Sequence, residues 1–402
     1  MRWHWTITLG ASALAACPRP AAPPPSAGEP TLRVALATGA GEVTLGAEGG
    51  ALGAAEGAPA FSLAAGESLT LRVEGGTFRA RGAAYTRVRL ASTAPGGHVT
   101  FGGKPYRGVL DVFVAGGSIT VVNAVAMEDY LRGVVNAEMG RRTAAERAAV
   151  EAQAIVSRSY ALHNRGRYGA EGFDLRAGVT DQVYGGVATE TPLGAAAVEA
   201  TAGQVLTWDG KLIAPFYHST CGGSTASPEE AFVSVRSTPY LRPVSDLRPG
   251  GAYCDISPRF RWTVEWEGEA LRAILDRTLP AQLGVDTGAL SEVRDVYIRR
   301  TGASGRPTDL RVRLAGGEVP VPGYAVRQVL AAPDGRPLGS SAVRLSATRA
   351  GDTVAHLAAE GAGWGHGVGM CQWGAVGRAR AGQDARTILA TYFPGARVAR
   401  WY

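Results

Sequence analysis

Short runs in which apolar and polar residues alternate fill residues 31–122 of the chain. Clear examples are LRVAL at 32–36, SLTLRV at 68–73 and GVLDVFV at 108–114. Alternation with a period of two, broken at intervals by glycine, is typical of antiparallel strands that bury one face. The pattern therefore predicts a β-rich N-terminal region at 31–104, followed by further strands of the same kind.

Helical periodicity replaces this alternation after Asn123. The sequence predicts a short helix at 125–135, and Thr143 with Glu146 forms the pattern of a capping box that opens a longer helix. Small and apolar residues repeat at helical spacing along the longer helix, which predicts an amphipathic helix with a small-residue face. Residues 136–140 are expected to link the two helices.

The rest of the chain alternates between strand and helix patterns. The predicted elements are a helix after Pro192, strands at 204–208 and 211–217, a helix at 269–278 among further strands, a Gly-rich loop at 361–369 and a last helix at 381–392. This order of elements favours an α+β fold, in which a β-rich body surrounds a central helical element that carries the active-site cleft.

The N-terminus predicts export. Residues 1–17 combine a positive Arg2, a short apolar stretch and the sequence Leu-Ala-Ala-Cys, which resembles a bacterial lipoprotein signal with lipid attached to Cys17. A plain secretory signal with an incidental cysteine is the alternative. The Pro-rich stretch at 18–30 predicts a semi-rigid tether between membrane and body.

Export changes the interpretation of the cysteines. If Cys17 carries lipid, Cys221, Cys254 and Cys371 remain, and this odd number favours one disulfide and one buried thiol. We expect Cys221 and Cys254 to be the bonded pair. Metal ligation by these three cysteines with His218 is an alternative, but the spacing matches no zinc template, so no metal and no cofactor are predicted.

Charge and missing motifs exclude several classes of protein. The chain carries a net charge of +6 but has only two lysines and no dense basic tract, so nucleic acid is not an expected partner. The positive net charge is typical of a protein that binds a polyanionic cell wall or membrane surface, and a surface that is merely solvated is the alternative. The sequence lacks HExxH, GxSxG and GxxxxGK[ST], which disfavours zincin proteases, α/β-hydrolases and P-loop NTPases.

Several polar segments occur in a recognisable order. They lie at 122–139, 152–161, 216–225 and 363–375, with QVYGG at 182–186 and STPYL at 237–241 between them. Together they resemble the stage II sporulation protein D family (SpoIID/LytB) over about residues 105–400.

The resemblance implies an activity on peptidoglycan. Family members resemble lytic transglycosylases, which cut glycan strands between N-acetylmuramic acid and N-acetylglucosamine and leave a 1,6-anhydro product. Related members are enhancers of a cell-wall N-acetylmuramoyl-L-alanine amidase, and a structural glycan binder is a further alternative. With the predicted signal, the expected protein is a membrane-anchored lipoprotein of the cell envelope, with glycan strands and a cell-wall amidase as its candidate partners.

Glu138 is the candidate catalytic acid, because it matches the glutamate of the family's Ala-Glu-Met motif. Glycosidic cleavage needs a carboxylic acid near the leaving oxygen, usually with a pKa raised by partial burial. The apolar neighbours Val134, Val135 and Met139 provide such a setting. A role in a helix cap or a salt bridge is the alternative. Glu128 and Asp129, by contrast, are typical of the first turn of a helix.

Polar residues of the other segments are candidate substrate-binding groups. His218 and Ser219 are adjacent on a predicted strand and point to opposite faces, so they do not form a catalytic dyad. Some family members carry Cys and His just before the Gln-Val-Tyr motif, but residues 173–181 contain neither, so that zinc site is not expected. The candidates are Gln153, Arg158, Tyr160, Gln182, Tyr184, His218, Ser219, His366 and Gln372.

Overall fold

The computed structural model describes residues 28–55, 58–80, 82–233, 237–285 and 292–402. The predicted signal at 1–17, with Cys17, lies outside the described residues. Within them, strands contain more residues than helices, and the two are mixed along the chain. The predicted α+β, β-rich fold class is therefore confirmed.

Two sheets form the N-terminal part of the described chain, and their strands pair antiparallel except for β13, which pairs in parallel with β1. The order of strands in the first sheet is β13-β1-β12-β11-β8-β3-β4, and in the second β10-β9-β2-β5-β6-β7. The first contains β1 (Thr31–Ala40), β3 (Ala51–Ala55), β4 (Ala58–Leu63), β8 (Arg87–Ser92), β11 (Val109–Ala115), β12 (Ser118–Ala126) and β13 (Leu175–Arg176). The second contains β2 (Glu42–Ala47), β5 (Ser68–Glu74), β6 (Thr77–Ala80), β7 (Ala83–Tyr85), β9 (Val99–Phe101) and β10 (Lys104–Tyr106).

The alternating sequence explains how these sheets pack. On β8, Val88 and Leu90 are fully buried, whereas Arg87 and Arg89 lie on the other face. Complete burial of such a side chain stabilises the fold by about 1.5–3 kcal/mol. A shift of the strand by one residue would move Val88 and Leu90 to the other face, so their burial favours the observed register. Strand β1 pairs with β12 in the first sheet. The sheet therefore joins the region at 31–104 to the segment that follows it.

A central group of helices follows β12 directly. It consists of α1 (Met127–Met139), α2 (Arg147–His163) and α3 (Pro192–Ala200), with short 3-10 turns at Ala144–Glu146, Gly169–Glu171 and Gly186–Thr189. The predicted capping box is confirmed, since the Thr143 backbone N–H donates to Glu146 Oε2 at 2.9 Å. Helix α1 ends at Met139, and the C-cap Gly140 has a φ of 70°, which favours glycine.

Helix α2 is buried on nearly every side, so the prediction of an amphipathic helix was wrong. All ten residues from Ala152 to Ala161 are buried. The reason is that α1, α3 and two C-terminal helices, together with a strand, all pack around it. Its small residues serve the predicted purpose, because they let these neighbours approach closely.

The C-terminal part completes this packing and adds a further unit. A three-stranded sheet has β14 (Gln204–Trp208), β15 (Lys211–Leu212) and β26 (Arg397–Arg400), and β16 (Tyr217–His218) pairs in parallel with β25 (Met370–Cys371). A short α4 (Pro228–Ala231) and the hairpin of β17 (Leu247–Arg248) and β18 (Gly251–Ala252) follow β16. The further unit contains β19 (Arg261–Glu267), α5 (Gly268–Leu283), β20 (Val293–Thr301), β21 (Pro307–Leu314), β22 (Gly317–Pro322), a 3-10 turn at Gly323–Ala325, α6 (Val326–Val329), β23 (Val343–Ala350) and β24 (Thr353–Ala362).

The end of the chain differs from its prediction. The helix expected at 381–392 is α8 (Ala385–Tyr392), and a further helix, α7 (Gln372–Arg380), precedes it. Asp384 caps α8, because its side chain accepts a hydrogen bond from Thr387 N–H. The predicted strand at 211–217 is likewise two short strands. Every helix within the described residues is too short or too polar to span a bilayer.

Candidate functional site

Glu138 lies in the last turn of α1 rather than between two helices, which corrects the prediction for residues 136–140. Its neighbour Val135 packs in the core under the N-terminal sheets, and Met139 packs in a second core with α2, α7 and α8. Glu138 itself is half-buried. The carboxyl group therefore stands at the junction of two cores.

One oxygen of Glu138 is held by two hydrogen bonds. The Val183 backbone N–H donates to Oε1 at 2.6 Å, and the Tyr217 hydroxyl donates to the same atom at 2.9 Å. Burial raises the pKa of Glu138, while these two hydrogen bonds and the side chain of Gln372 oppose the rise. No ion pair to Glu138 occurs among the described residues. The group is thus an oriented acid with a raised pKa.

Tyr217 is oriented by a chain of buried polar groups. Gln182 Nε2 donates to the Tyr217 hydroxyl oxygen at 3.2 Å, and the Tyr130 hydroxyl donates to Gln182 Oε1 at 3.3 Å. An amide nitrogen can only donate, so the proton of Tyr217 is directed to Glu138. Burial raises the pKa of Tyr217 well above its ordinary value, which keeps the hydroxyl protonated.

Two more predicted residues meet at the same place from α2 and α7. Gln372 Nε2 donates to Gln153 Oε1 at 3.3 Å, and Gln153 Nε2 donates to Ser157 Oγ at 2.9 Å. Gln153 is fully buried and Gln372 nearly so. The structure therefore brings Gln153, Gln182 and Gln372 together around Glu138.

Tyr160 and Tyr184 lie further from Glu138 than the residues described above. The Tyr160 hydroxyl donates to Asp181 Oδ1 at 3.2 Å, and its ring is 6.5 Å from that of Tyr217. The Tyr184 hydroxyl donates to Asn123 Oδ1 at 2.8 Å, and its ring is 4.9 Å from that of Tyr130. Both tyrosines pack against members of the network without bonding to Glu138.

The two histidines bind backbone groups of β16 and of the segment that precedes β25. His366 Nε2 donates to the Tyr217 carbonyl at 2.9 Å, and His366 Nδ1 accepts from Val368 N–H at 3.1 Å. Burial lowers the pKa of His366 to about 4, so the ring is neutral. His218 Nδ1 donates to the Val368 carbonyl at 3.1 Å. Ser219, the first residue after β16, contacts Thr220 Oγ1 through its Oγ at 3.2 Å.

Arg158 lies away from this network. It is fully buried, and its guanidinium donates to both oxygens of Glu128 at 2.9 and 2.5 Å and to the Gln204 carbonyl at 3.0 Å. Glu128 also accepts from the Tyr402 hydroxyl. The side chain therefore joins α1, α2 and β14, and it offers no exposed surface to a ligand.

The sequence reasoning missed Tyr217, Tyr130 and the Val183 N–H. Tyr217 precedes His218 on β16, so strand alternation places it on the face opposite that histidine, and this was a usable signal. The active-site cleft stays a prediction. A pocket borders the end of α1, lined by Val135 and Arg142 among others, but Glu138 does not line it.

The predicted disulfide pair lies in contact without a bond. The sulfur atoms of Cys221 and Cys254 are 3.5 Å apart, and both cysteines are buried free thiols, as is Cys371. The pairing stays a prediction, and the lipid at Cys17 lies outside the described residues.

Comparison with family models decides the relationship. Residues 115–208 match the model described as stage II sporulation protein, SpoIID. The chain carries a SpoIID domain. This domain contains Glu138, α2 and the Gln-Val-Tyr segment. Residues 229–369 match a second model, a domain of unknown function named DUF8618, which reaches His366 but stops before Gln372.

Three curated proteins are similar to the chain that carries this SpoIID domain. An uncharacterized protein of Brachyspira hyodysenteriae is 29% identical over 74% of this chain and 73% of its own length. An amidase enhancer of Bacillus subtilis is 28% identical over 66% of this chain and 39% of its own length. Stage II sporulation protein D of Bacillus subtilis is 25% identical over 69% of this chain and 75% of its own length.

Proposed function

We propose that the chain acts on peptidoglycan in the bacterial cell envelope and cleaves its glycan strands as a lytic transglycosylase. The single observation that supports this activity is Glu138, an oriented and half-buried carboxyl group whose pKa burial raises. The SpoIID domain supports the substrate class. We also propose that Cys17 anchors the protein by lipid.

The proposed reaction needs one carboxyl group in two steps. Glu138, protonated at first, gives its proton to the glycosidic oxygen as the bond from C1 of N-acetylmuramic acid breaks. The carboxylate then takes the proton of the C6 hydroxyl of the same sugar, and that oxygen bonds to C1. The products are a 1,6-anhydro end and a free N-acetylglucosamine hydroxyl, so no water is consumed. A hydrolysing glycosidase would need a second carboxylate.

The test is a digest of purified glycan strands, with and without stem peptides, analysed by mass spectrometry. Wild type is expected to make anhydro-muramyl ends, and Glu138→Gln to make none, because the amide cannot supply the proton. Glu151→Gln is the matched control, since Glu151 lies on α2 and pairs with Arg147. Failure of wild type on both substrates would contradict the transglycosylase proposal.

The second candidate function is that of an amidase enhancer, favoured by the similarity to the Bacillus subtilis protein of that name. A cell-wall amidase would be assayed on whole peptidoglycan with and without this chain. Stimulation that survives Glu138→Gln, together with no anhydro product from wild type, would establish the enhancer and exclude the transglycosylase.

A further inference from the structure

Three thiols and a carboxylate meet in a buried cluster behind β16 and β25. The members are Cys221, Asp246, Cys254 and Cys371, all buried, and their ligand atoms all lie within 4.8 Å of one another. Cys221 Sγ is 3.5 Å from Cys254 Sγ and 3.5 Å from Asp246 Oδ2. Four donor atoms from four separate points of the chain thus surround one small volume.

These separations fit the edges of a zinc tetrahedron. Zinc binds thiolate sulfur at about 2.3 Å and carboxylate oxygen at about 2.0–2.2 Å. Those bond lengths place two sulfurs about 3.8 Å apart, and a sulfur and an oxygen about 3.5 Å apart. The donor set is also suitable, because thiolates select zinc over the harder cations that oxygen ligands bind.

The surroundings of Cys371 fit a thiolate. Its sulfur accepts hydrogen bonds from the backbone N–H groups of Cys221 and Gly374, both at 3.2 Å. Cys371 is the N-cap of α7, where the helix dipole favours a negative group. Two backbone donors thus already point at this sulfur, as they would at a metal-bound thiolate.

Asp246 is oriented by a second set of contacts. Its Oδ1 accepts from the Tyr392 hydroxyl at 2.7 Å and from Arg378 Nη2 at 3.0 Å. Its other oxygen, Oδ2, faces Cys221. Metal-binding carboxylates are commonly held in this way, with one oxygen fixed by outer contacts and the other directed to the ion.

Buried arginines balance the charge that remains. Three thiolates and one carboxylate carry four negative charges, and a zinc ion neutralises two of them. Arg378 is paired with Asp246, and Arg306, which is almost fully buried, donates to the Cys221 carbonyl at 2.8 Å. Two cations thus lie beside the cluster and can balance the two negative charges that a zinc ion leaves.

We propose that Cys221, Asp246, Cys254 and Cys371 bind a structural zinc ion. The site differs from the alternative considered on sequence, since Asp246 replaces His218, whose Nδ1 is bound to the Val368 carbonyl. It accounts for an odd number of thiols. The ion holds β16 against β25 and so fixes Tyr217 in front of Glu138. The proposal does not depend on the proposed glycan cleavage.

The test measures metal and thiols on the same sample. The full chain is isolated from the cell envelope without reductant or chelator, and its zinc content is determined by mass spectrometry. We expect one zinc per chain, loss of that zinc in Cys371→Ser and Asp246→Asn, and a lower Tm after chelation. Cys17→Ser, which removes the one cysteine that the proposal leaves out, is the control; it is purified from whole-cell extract and culture medium, because it lacks the proposed lipid, and should keep its zinc.

A spectroscopic measurement keeps the test valid where a variant fails to fold. Cobalt(II) added to the chelator-treated wild type is expected to give thiolate-to-cobalt charge-transfer absorption, which zinc then abolishes at one equivalent. An intact mass two hydrogens lower, with one free thiol and no metal, would overturn the proposal in favour of a Cys221–Cys254 disulfide. Three free thiols that bind neither zinc nor cobalt would overturn it as well.

Discussion

The direction of one hydroxyl proton controls the acidity of the candidate acid. Tyr217 receives a hydrogen bond from Gln182 and gives its own proton to Glu138. A donor of this kind stabilises the carboxylate more than the neutral acid, so it holds the pKa down while burial raises it. The balance leaves Glu138 able both to give a proton and to take one back.

Tyr217→Phe is expected to shift the pH profile rather than abolish the proposed activity. Without the hydroxyl, the pKa of Glu138 rises further, and the protonated acid persists to higher pH. The alkaline limb of kcat/KM should move upward by about one unit, since a hydrogen bond to a charged group contributes about 1.5–3 kcal/mol. Tyr297→Phe, which removes a tyrosine–glutamate bond to Glu318, is the control. An unmoved alkaline limb would contradict the assignment.

Arg158 is expected to stabilise the fold. Arg158→Ala leaves the mostly buried Glu128 carboxylate without its cation, which should lower the free energy of unfolding by about 3–5 kcal/mol. Denaturant unfolding would measure this. Arg147→Ala, which breaks a more exposed pair with Glu151, is the control and should cost about 0.5 kcal/mol or less.

The same pair predicts a dependence on pH. Burial alone would raise the pKa of Glu128, but the hydrogen bonds from Arg158 and Tyr402 outweigh it, and the pKa is lowered. The stabilisation is therefore complete above the ordinary glutamate value of 4.5 and is lost as the pH falls through the lower folded value. An Arg158→Ala effect that stays constant through this acidic range would contradict the pairing.

At the scale of elements, α7 depends on two glycines. A Cβ at Gly377 would lie 1.9 Å from the Tyr253 carbonyl oxygen, and one at Gly374 would lie 2.0 Å from the Tyr392 hydroxyl. The helix can therefore approach both segments closely only because these positions lack a side chain. The glycines lower the helix propensity of the segment, and packing compensates for it.

Gly377→Ala is expected to destabilise the protein although alanine favours helices. The gain in propensity is about 1 kcal/mol, whereas the clash with backbone must displace α7 and should cost about 1–3 kcal/mol more than that gain. A lower Tm by circular dichroism would confirm this. Gly169→Ala is the control, because no atom lies within 4 Å of the added carbon and the residue sits in a 3-10 turn. Equal stability of both variants would contradict the close approach.

Sequence signals that lie within one turn of the chain predicted some helices well. They did not predict the helices whose position or length depends on tertiary contacts. The capping box at Thr143 and the Pro-initiated α3 were predictable because their signals lie within one turn of the chain. Helix α7 was missed because its glycines suggest a loop. Glu138 was expected between two helices, whereas α1 continues through it to Met139 and is capped by Gly140.

The residues of the candidate site also divide into those that local sequence predicts and those whose role is decided by contacts with distant parts of the chain. Glu138, Gln182 and Gln372 were predicted from their segments and lie together. Arg158 was predicted to bind substrate because a lone arginine on a helix gives no sign of its partner, and Glu128 lies thirty residues earlier in the chain. Asp246 was likewise not considered as a metal ligand, because nothing near it in the sequence shows that it lies beside Cys221.

At the scale of the whole molecule, α2 connects two hydrophobic cores. Val150 and Ala154 pack in the core beneath the N-terminal sheets, while Ile155 and Val156 pack with α7 and α8. A third core lies in the C-terminal unit, around Trp266 and Leu271. The site at Glu138 therefore depends on elements from both ends of the described chain.

The boundary predicted at residue 104 can be tested by truncation. Strand β12 lies between β1 and β11, and Leu32 of β1 is fully buried in the same core as Leu131 of α1. A fragment of residues 105–402 would lose the partners of β11 and β12, so two strands would present free edges and their buried side chains would be exposed.

We expect this fragment to lose cooperative thermal unfolding, or to aggregate, whereas a fragment of residues 28–402 should unfold like the full chain. Thermal melts followed by circular dichroism would compare the two. The shorter fragment would refute the argument if it unfolded in one sharp transition at the Tm of the longer one. In that case the N-terminal sheets would be an accessory to an independent SpoIID body, and the contacts of β1 with β12 would contribute little to its stability.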